Sequence, residues 1–147
     1  MKSYRERLWP APWIALVAGL AVPASLLVFA PISVLVGAIV GGVLALGVIV
    51  GAVLTAPTIT VGEGMLRAGS ARVPLSLVGT TSVARGHDAR IARGQRLDAR
   101  AYIVLRPDVD PVIQIELTDP EDPTPYWLLS TRRPEELAAA IADAHRV

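Results

Sequence analysis

Polar and apolar positions divide this chain sharply. From Leu8 to Gly62 there is no Asp, Glu, Lys or Arg, and residues 12–56 are mostly Ala, Val, Leu, Ile and Gly. One membrane-crossing helix needs about 20 apolar residues, so the run predicts two. Pro31 is the natural break, because proline removes a backbone donor and disfavours helix at the residue before it. The predicted spans cover residues 12–29 and 33–55, and the short turn between them forces an antiparallel hairpin. Pro23 predicts a kink within the first span, since a helix ending there would leave backbone groups unsatisfied in lipid. A signal sequence cleaved near Val22-Pro23-Ala24 is the competing reading, but its apolar core stops after about 7–15 residues and this one continues.

After Glu63 the pattern changes to short period-2 segments. Thr58-Ile59-Thr60-Val61 and Met65-Leu66-Arg67-Ala68 flank Gly62-Glu63-Gly64, which reads as a β-hairpin. Two further strands are expected over 71–77, bent at Pro74, and over 79–84. The polar, arginine-rich segment from Arg85 to Arg100 reads as a long loop. Residues 101–105 and 112–117 are the clearest strands, with turn chemistry at 106–111. Three prolines between Asp119 and Pro125 exclude a central strand there, and Tyr126–Ser130 follows as the last one. Pro134 suits the first helical position, Glu135 and Glu136 complement the dipole, and Leu137, Ala138, Ile141 and Ala144 make one apolar stripe to His145.

The predicted architecture is therefore a membrane α-hairpin in residues 1–56, with its short N-terminal segment, and a small α+β domain in 57–147. Lys2, Arg5 and Arg7 precede a charge-free turn, so the positive-inside rule places the N-terminus, and after two crossings the C-terminal domain, in the cytoplasm. Tyr4, Trp9 and Trp13 fit the aromatic belt. The protein is expected in the cell membrane as a multi-pass chain whose first partner is the bilayer.

Small residues recur on one face of each span: Gly37, Gly41, Gly47 and Gly51 on the second, Ala11, Ala15, Ala18, Gly19 and Ser25 on the first. Such faces allow close backbone approach in lipid. They would close the hairpin on itself or support a homo-oligomer.

Composition narrows the chemistry. The chain has 147 residues, a net charge of +1 and no cysteine, which excludes a large multi-domain enzyme, a disulfide framework and thiol chemistry. His87-Asp88 and His145 lack metal-ligand spacing. Asp108, Asp110, Asp119, Glu121 and Asp122 lack the ordered spacing of a calcium loop. No catalytic, cofactor or metal residue is assigned, and the charge balance argues against nucleic acid. Arg90, Arg93 and Arg96 stand out as a mobile basic loop for anionic lipid. Arg132 and Arg133, at a helix start, would hold a carboxylate from a partner or from 119–122. An open sheet edge near Tyr126 and Trp127 would serve a protein partner.

The strand order with its closing helix resembles the bacterial pleckstrin-homology-like fold, a bent antiparallel sheet plugged by a C-terminal helix. Three stretches, residues 4–10, 93–102 and 119–134, resemble more closely the actinobacterial alanine-rich membrane proteins grouped as domain of unknown function 3093. That resemblance implies a small integral membrane protein without an assigned activity. The expected function is a non-enzymatic anchor displaying a binding or scaffold domain; the alternative is an accessory or regulatory subunit of a membrane enzyme or transporter.

Overall fold

The computed structural model describes residues 3–146; Lys2, one of the cations ahead of the first span, lies outside them. The chain forms two compact units, residues 9–56 and residues 1–8 with 57–147.

The first unit is a helical hairpin of α1 (Pro12–Phe29) and α2 (Val34–Leu54). Both helices have the length and hydropathy that a membrane span requires. α1 runs through Pro23, and the Ser33 hydroxyl caps α2 by accepting from the Val36 N–H at 3.4 Å. Ala18, Ser25, Gly37 and Gly41 are buried between the helices. A Cβ on Gly41 would come within 2.7 Å of Val22 Cα, and one on Gly37 within 3.1 Å of Leu26 Cα. At Gly41 only glycine permits that approach, and at Gly37 a side chain would press the neighbouring helix outward. The small-residue stripe is thus divided: a Cβ on Gly19, Gly47 or Gly51 would meet open space, and Ala15 is exposed.

The second unit contains two four-stranded sheets. The first is an antiparallel meander of β1 (Tyr4–Arg7), β2 (Thr58–Gly62), β3 (Met65–Ala68) and β4 (Ala71–Pro74). Tyr4 faces Val61 and Arg7 faces Thr58, while the Leu8 N–H donates to the Pro57 carbonyl at 3.0 Å. The N-terminal segment, expected only as a charged leader to the first span, is therefore an edge strand. Glu63 and Gly64, both at positive φ, form the two-residue turn between β2 and β3, the geometry that matches strand twist.

After a short 3-10 turn at Leu75–Leu77 come β5 (Val78–Ala84), α3 (Gly86–Arg93), β6 (Tyr102–Val104), β7 (Val112–Leu117), β8 (Tyr126–Ser130) and α4 (Pro134–Ala144). The second sheet has the order β5-β7-β8-β6, with β6 parallel to β8. Inward residues of both sheets, among them Ile59, Leu66, Ile113, Ile115 and Leu129, share one core with Leu137 and Ile141 of α4. The His145 ring Nε2 donates to the carbonyls of Leu75 and Val78 at 2.8 and 2.9 Å; both partners are acceptors, which makes that nitrogen the donor.

The stretch from Arg85 to Arg100 is not a loop throughout. α3 forms because Ala89 is buried against Val112 and Leu128, on the face of the second sheet opposite the main core. Two alanines, Ala89 and the half-buried Ala92, are what the helix brings to that cluster, too little to mark a helix in the sequence.

Candidate functional site

The most densely bonded polar cluster lies where β1 meets the start of α4. Alternation along β1 turns Tyr4 and Glu6 inward and leaves Arg5 and Arg7 exposed. The Glu6 carboxylate, 6% exposed, accepts from the Tyr4 hydroxyl at 2.7 Å, the Thr131 hydroxyl at 2.5 Å and the Arg132 N–H at 3.0 Å. Thr131 in turn accepts from the Arg133 N–H at 3.1 Å. The Arg133 guanidinium lies 5.2 Å from the Tyr4 ring centroid, donates to the Arg5 carbonyl at 3.1 Å and pairs with Glu136 at 3.1 Å.

A buried carboxylate is tolerated only when donors satisfy it, and here three do. Burial, with the neighbouring Glu6 charge adding to it, pushes the Tyr4 phenol up to about 12, so it keeps its proton and continues to donate above the pH at which a free phenol ionises. The cluster is a clasp between β1 and the last helix, with its polar atoms engaged by one another. A cleft of about 390 Å³ beside it is lined by Ser3, Tyr4 and the Glu136, Ala139, Ala140 and Asp143 face of α4. Glu6 and Thr131 were not singled out in the sequence. The signal that could have found Glu6 is the strict alternation of Tyr4, Glu6 and Leu8 with Arg5 and Arg7; Thr131 carries no comparable local signal.

The expected basic loop is divided by the fold. Arg93 turns inward, its Nη2 donating to the Val109 carbonyl at 2.6 Å and to the Asp110 carbonyl, while the Asp110 carboxylate accepts from the Gly86 N–H at 2.7 Å. The helix is thereby held at both ends by one turn. Arg90 and Arg96 are exposed.

Arg132 and Arg133 do hold carboxylates, but not those of 119–122. Arg132 reaches Asp108 at 3.3 Å, which also pairs with Arg106 at 3.5 Å. Asp119 and Asp122 accept instead from the N–H groups of Glu121 and Thr124, and the Thr124 contact holds the Asp122 carboxyl below its usual range. Arg100 does the same to Asp98.

Trp127 is buried, its ring centroid 5.1 Å from that of Tyr102 in a pair tilted by 54°, so it offers no surface to a partner. The Tyr126 hydroxyl accepts from the Asp98 N–H at 2.8 Å and donates to the Arg96 carbonyl at 3.1 Å; it ties down the segment after α3. Its ring borders a shallow polar recess of about 300 Å³ with Thr80, Ser82, Gln114 and Glu116. Among the described residues no group of three or more His, Asp or Glu side chains is placed to hold a metal ion.

Compared with known families, residues 3–141 match the one described as "Protein of unknown function (DUF3093)". No curated protein and no solved structure matches the chain.

Proposed function

The chain belongs to the DUF3093 family, and from its geometry we propose that it is a non-enzymatic membrane-anchored module: the hairpin of α1 and α2 spans the cell membrane and the two-sheet domain is displayed in the cytoplasm as a binding or scaffold surface. The observation that carries this reading is the pairing of β1 with β2. The strand before the hairpin and the strand after it belong to one sheet, so both flanks must lie on the same side of any bilayer that the hairpin crosses. Arg5 and Arg7 on β1 favour the cytoplasmic side. A core shared by two mainly antiparallel sheets and a closing helix supports the pleckstrin-homology-like relationship, with the parallel β6–β8 pair as its departure. Arginine at nearly every basic position, with alanine- and glycine-rich spans, suits an actinobacterial source.

Carbonate extraction of the full chain should leave it in the membrane fraction. Reporter fusions at the C-terminus should report cytoplasm, and fusions near Pro31 the opposite side. A carbonate-soluble chain or an external C-terminal reporter would overturn the proposal.

A second reading, an accessory subunit working through its hairpin, is favoured by the open glycines. Near them, an apolar cleft of about 240 Å³ is lined by Trp9, Ile14, Ala15, Ile49 and Val53. Gly47→Leu should leave the hairpin folded but abolish copurification of a native membrane partner, whereas Gly41→Leu should disrupt the hairpin itself.

A further inference from the structure

The outward positions of the first sheet carry charge of one sign. Arg5 faces Thr60, Thr60 faces Arg67 and Arg67 faces Arg72, so one cross-strand row runs through all four strands with three arginines in it. Strands lie about 4.8 Å apart, which makes the row about 14 Å wide. Arg7, opposite Thr58, adds a fourth cation in the next row. All four side chains are exposed. The acidic residue of β1, Glu6, points the other way and is engaged by the clasp. Among the described residues no carboxylate pairs with Arg5, Arg67 or Arg72.

Like charges directly opposite each other destabilise a sheet, and Arg67 and Arg72 are so placed with no ion pair to either; Glu63, in the turn before β3, borders a recess with Arg67 without pairing to it. In a chain of net charge +1 this is a segregation of charge onto one face. Guanidinium groups present paired donors that match phosphate oxygens, and a row of them on a sheet matches a planar array of such groups better than a single ligand.

We propose that the outward face of the first sheet docks on the anionic headgroups of the membrane that holds the hairpin. The inference rests on the anchoring reading above. Arg7 is followed within five residues by the start of α1, and β2 begins four residues after α2 ends, so the chain keeps this sheet within reach of the bilayer surface. Tethering raises the effective concentration of headgroups at the face, and a few arginines suffice where an untethered domain would need more.

The absence of cysteine makes a site-specific test direct. Met65, an outward residue of β3, is changed to Cys and labelled with a fluorophore in the full chain, in nanodiscs doped with lipids carrying a nitroxide headgroup. Quenching should be stronger when the discs contain phosphatidylglycerol than with phosphatidylcholine alone. It should fall to the neutral-disc level in Arg5→Gln/Arg67→Gln/Arg72→Gln, and when salt is raised to about 1 M, where screening reaches about 3 Å. A label at Ser82→Cys, exposed on β5 of the other sheet, should be insensitive to lipid charge. An incorporated chain whose Met65 label is quenched equally in both discs, or equally in the triple variant, would overturn the docking. A chain that elutes free of the discs would instead overturn the anchoring reading, and the docking with it.

Discussion

Arg90, Arg93 and Arg96 crowd one short stretch of sequence, whereas Arg5, Arg67 and Arg72 come from three strands separated by a membrane-length hairpin and two turns. In the fold the crowded set is divided, with Arg93 bonded to the carbonyls of residues 109 and 110, while the dispersed set is collected into one exposed row. The difference lies in what each backbone does. A helix distributes neighbouring residues around its axis and turns some inward; a sheet brings distant residues onto one face by register. Charge density along a chain is therefore a poor guide to charge density on a surface.

The strongest way to break this comparison is to remove what fixes the register of β1. Glu6→Ala leaves the Arg132 N–H without its acceptor and the Tyr4 and Thr131 hydroxyls with each other, at 3.2 Å, in place of the carboxylate, and should destabilise the domain by about 1–3 kcal/mol. Glu6→Gln, which keeps an acceptor, should cost less. Thermal unfolding of the full chain in detergent measures both. If Glu6→Ala melts unchanged, β1 is not held by the clasp and the arginine row loses its first member.

Next in size, Arg93→Ala leaves two carbonyls without their donor and should cost about 1–3 kcal/mol in the same assay. A neutral result would return Arg93 to the exposed set and erase half of the contrast.

Alkaline pH sharpens the picture at Tyr4. Its phenol is pushed from 10.0 to about 12 in the fold, so between those values the unfolded chain releases a proton that the folded chain retains. The contribution is intact below pH 10 and is lost as pH rises through about 12, about 2–3 kcal/mol in all. Tyr4→Phe should flatten the fall in melting temperature over that window, and ultraviolet titration should lose its highest-pH tyrosine component.

The smallest stability effect is expected at the row itself. Replacing Arg5, Arg67 and Arg72 by Gln should change stability by no more than about 0.5 kcal/mol, and Arg67→Gln alone should be neutral or slightly stabilising, because it relieves the opposition to Arg72. A loss comparable with that of Arg93→Ala, measured by the same melts, would show that the row is structural.

The sequence by itself determined the elements whose signal is local. α1, α2, β7, β8 and α4 follow within a residue or two from a charge-free run, alternation of apolar residues, and a proline followed by two glutamates. In each, hydrophobic periodicity and backbone chemistry agree over enough residues to outweigh alternatives. Tertiary structure decided the rest. β1 is one tyrosine and three charged residues whose partner β2 comes more than fifty positions later, so its pairing energy is invisible until the hairpin between them is closed. α3 owes its place to Ala89 against Val112 and Leu128, a contact its own composition does not announce. Glu6, Thr131 and the arginine row belong to the same class: their meaning depends on which residue stands opposite, and opposition across strands is fixed by register rather than by sequence neighbourhood.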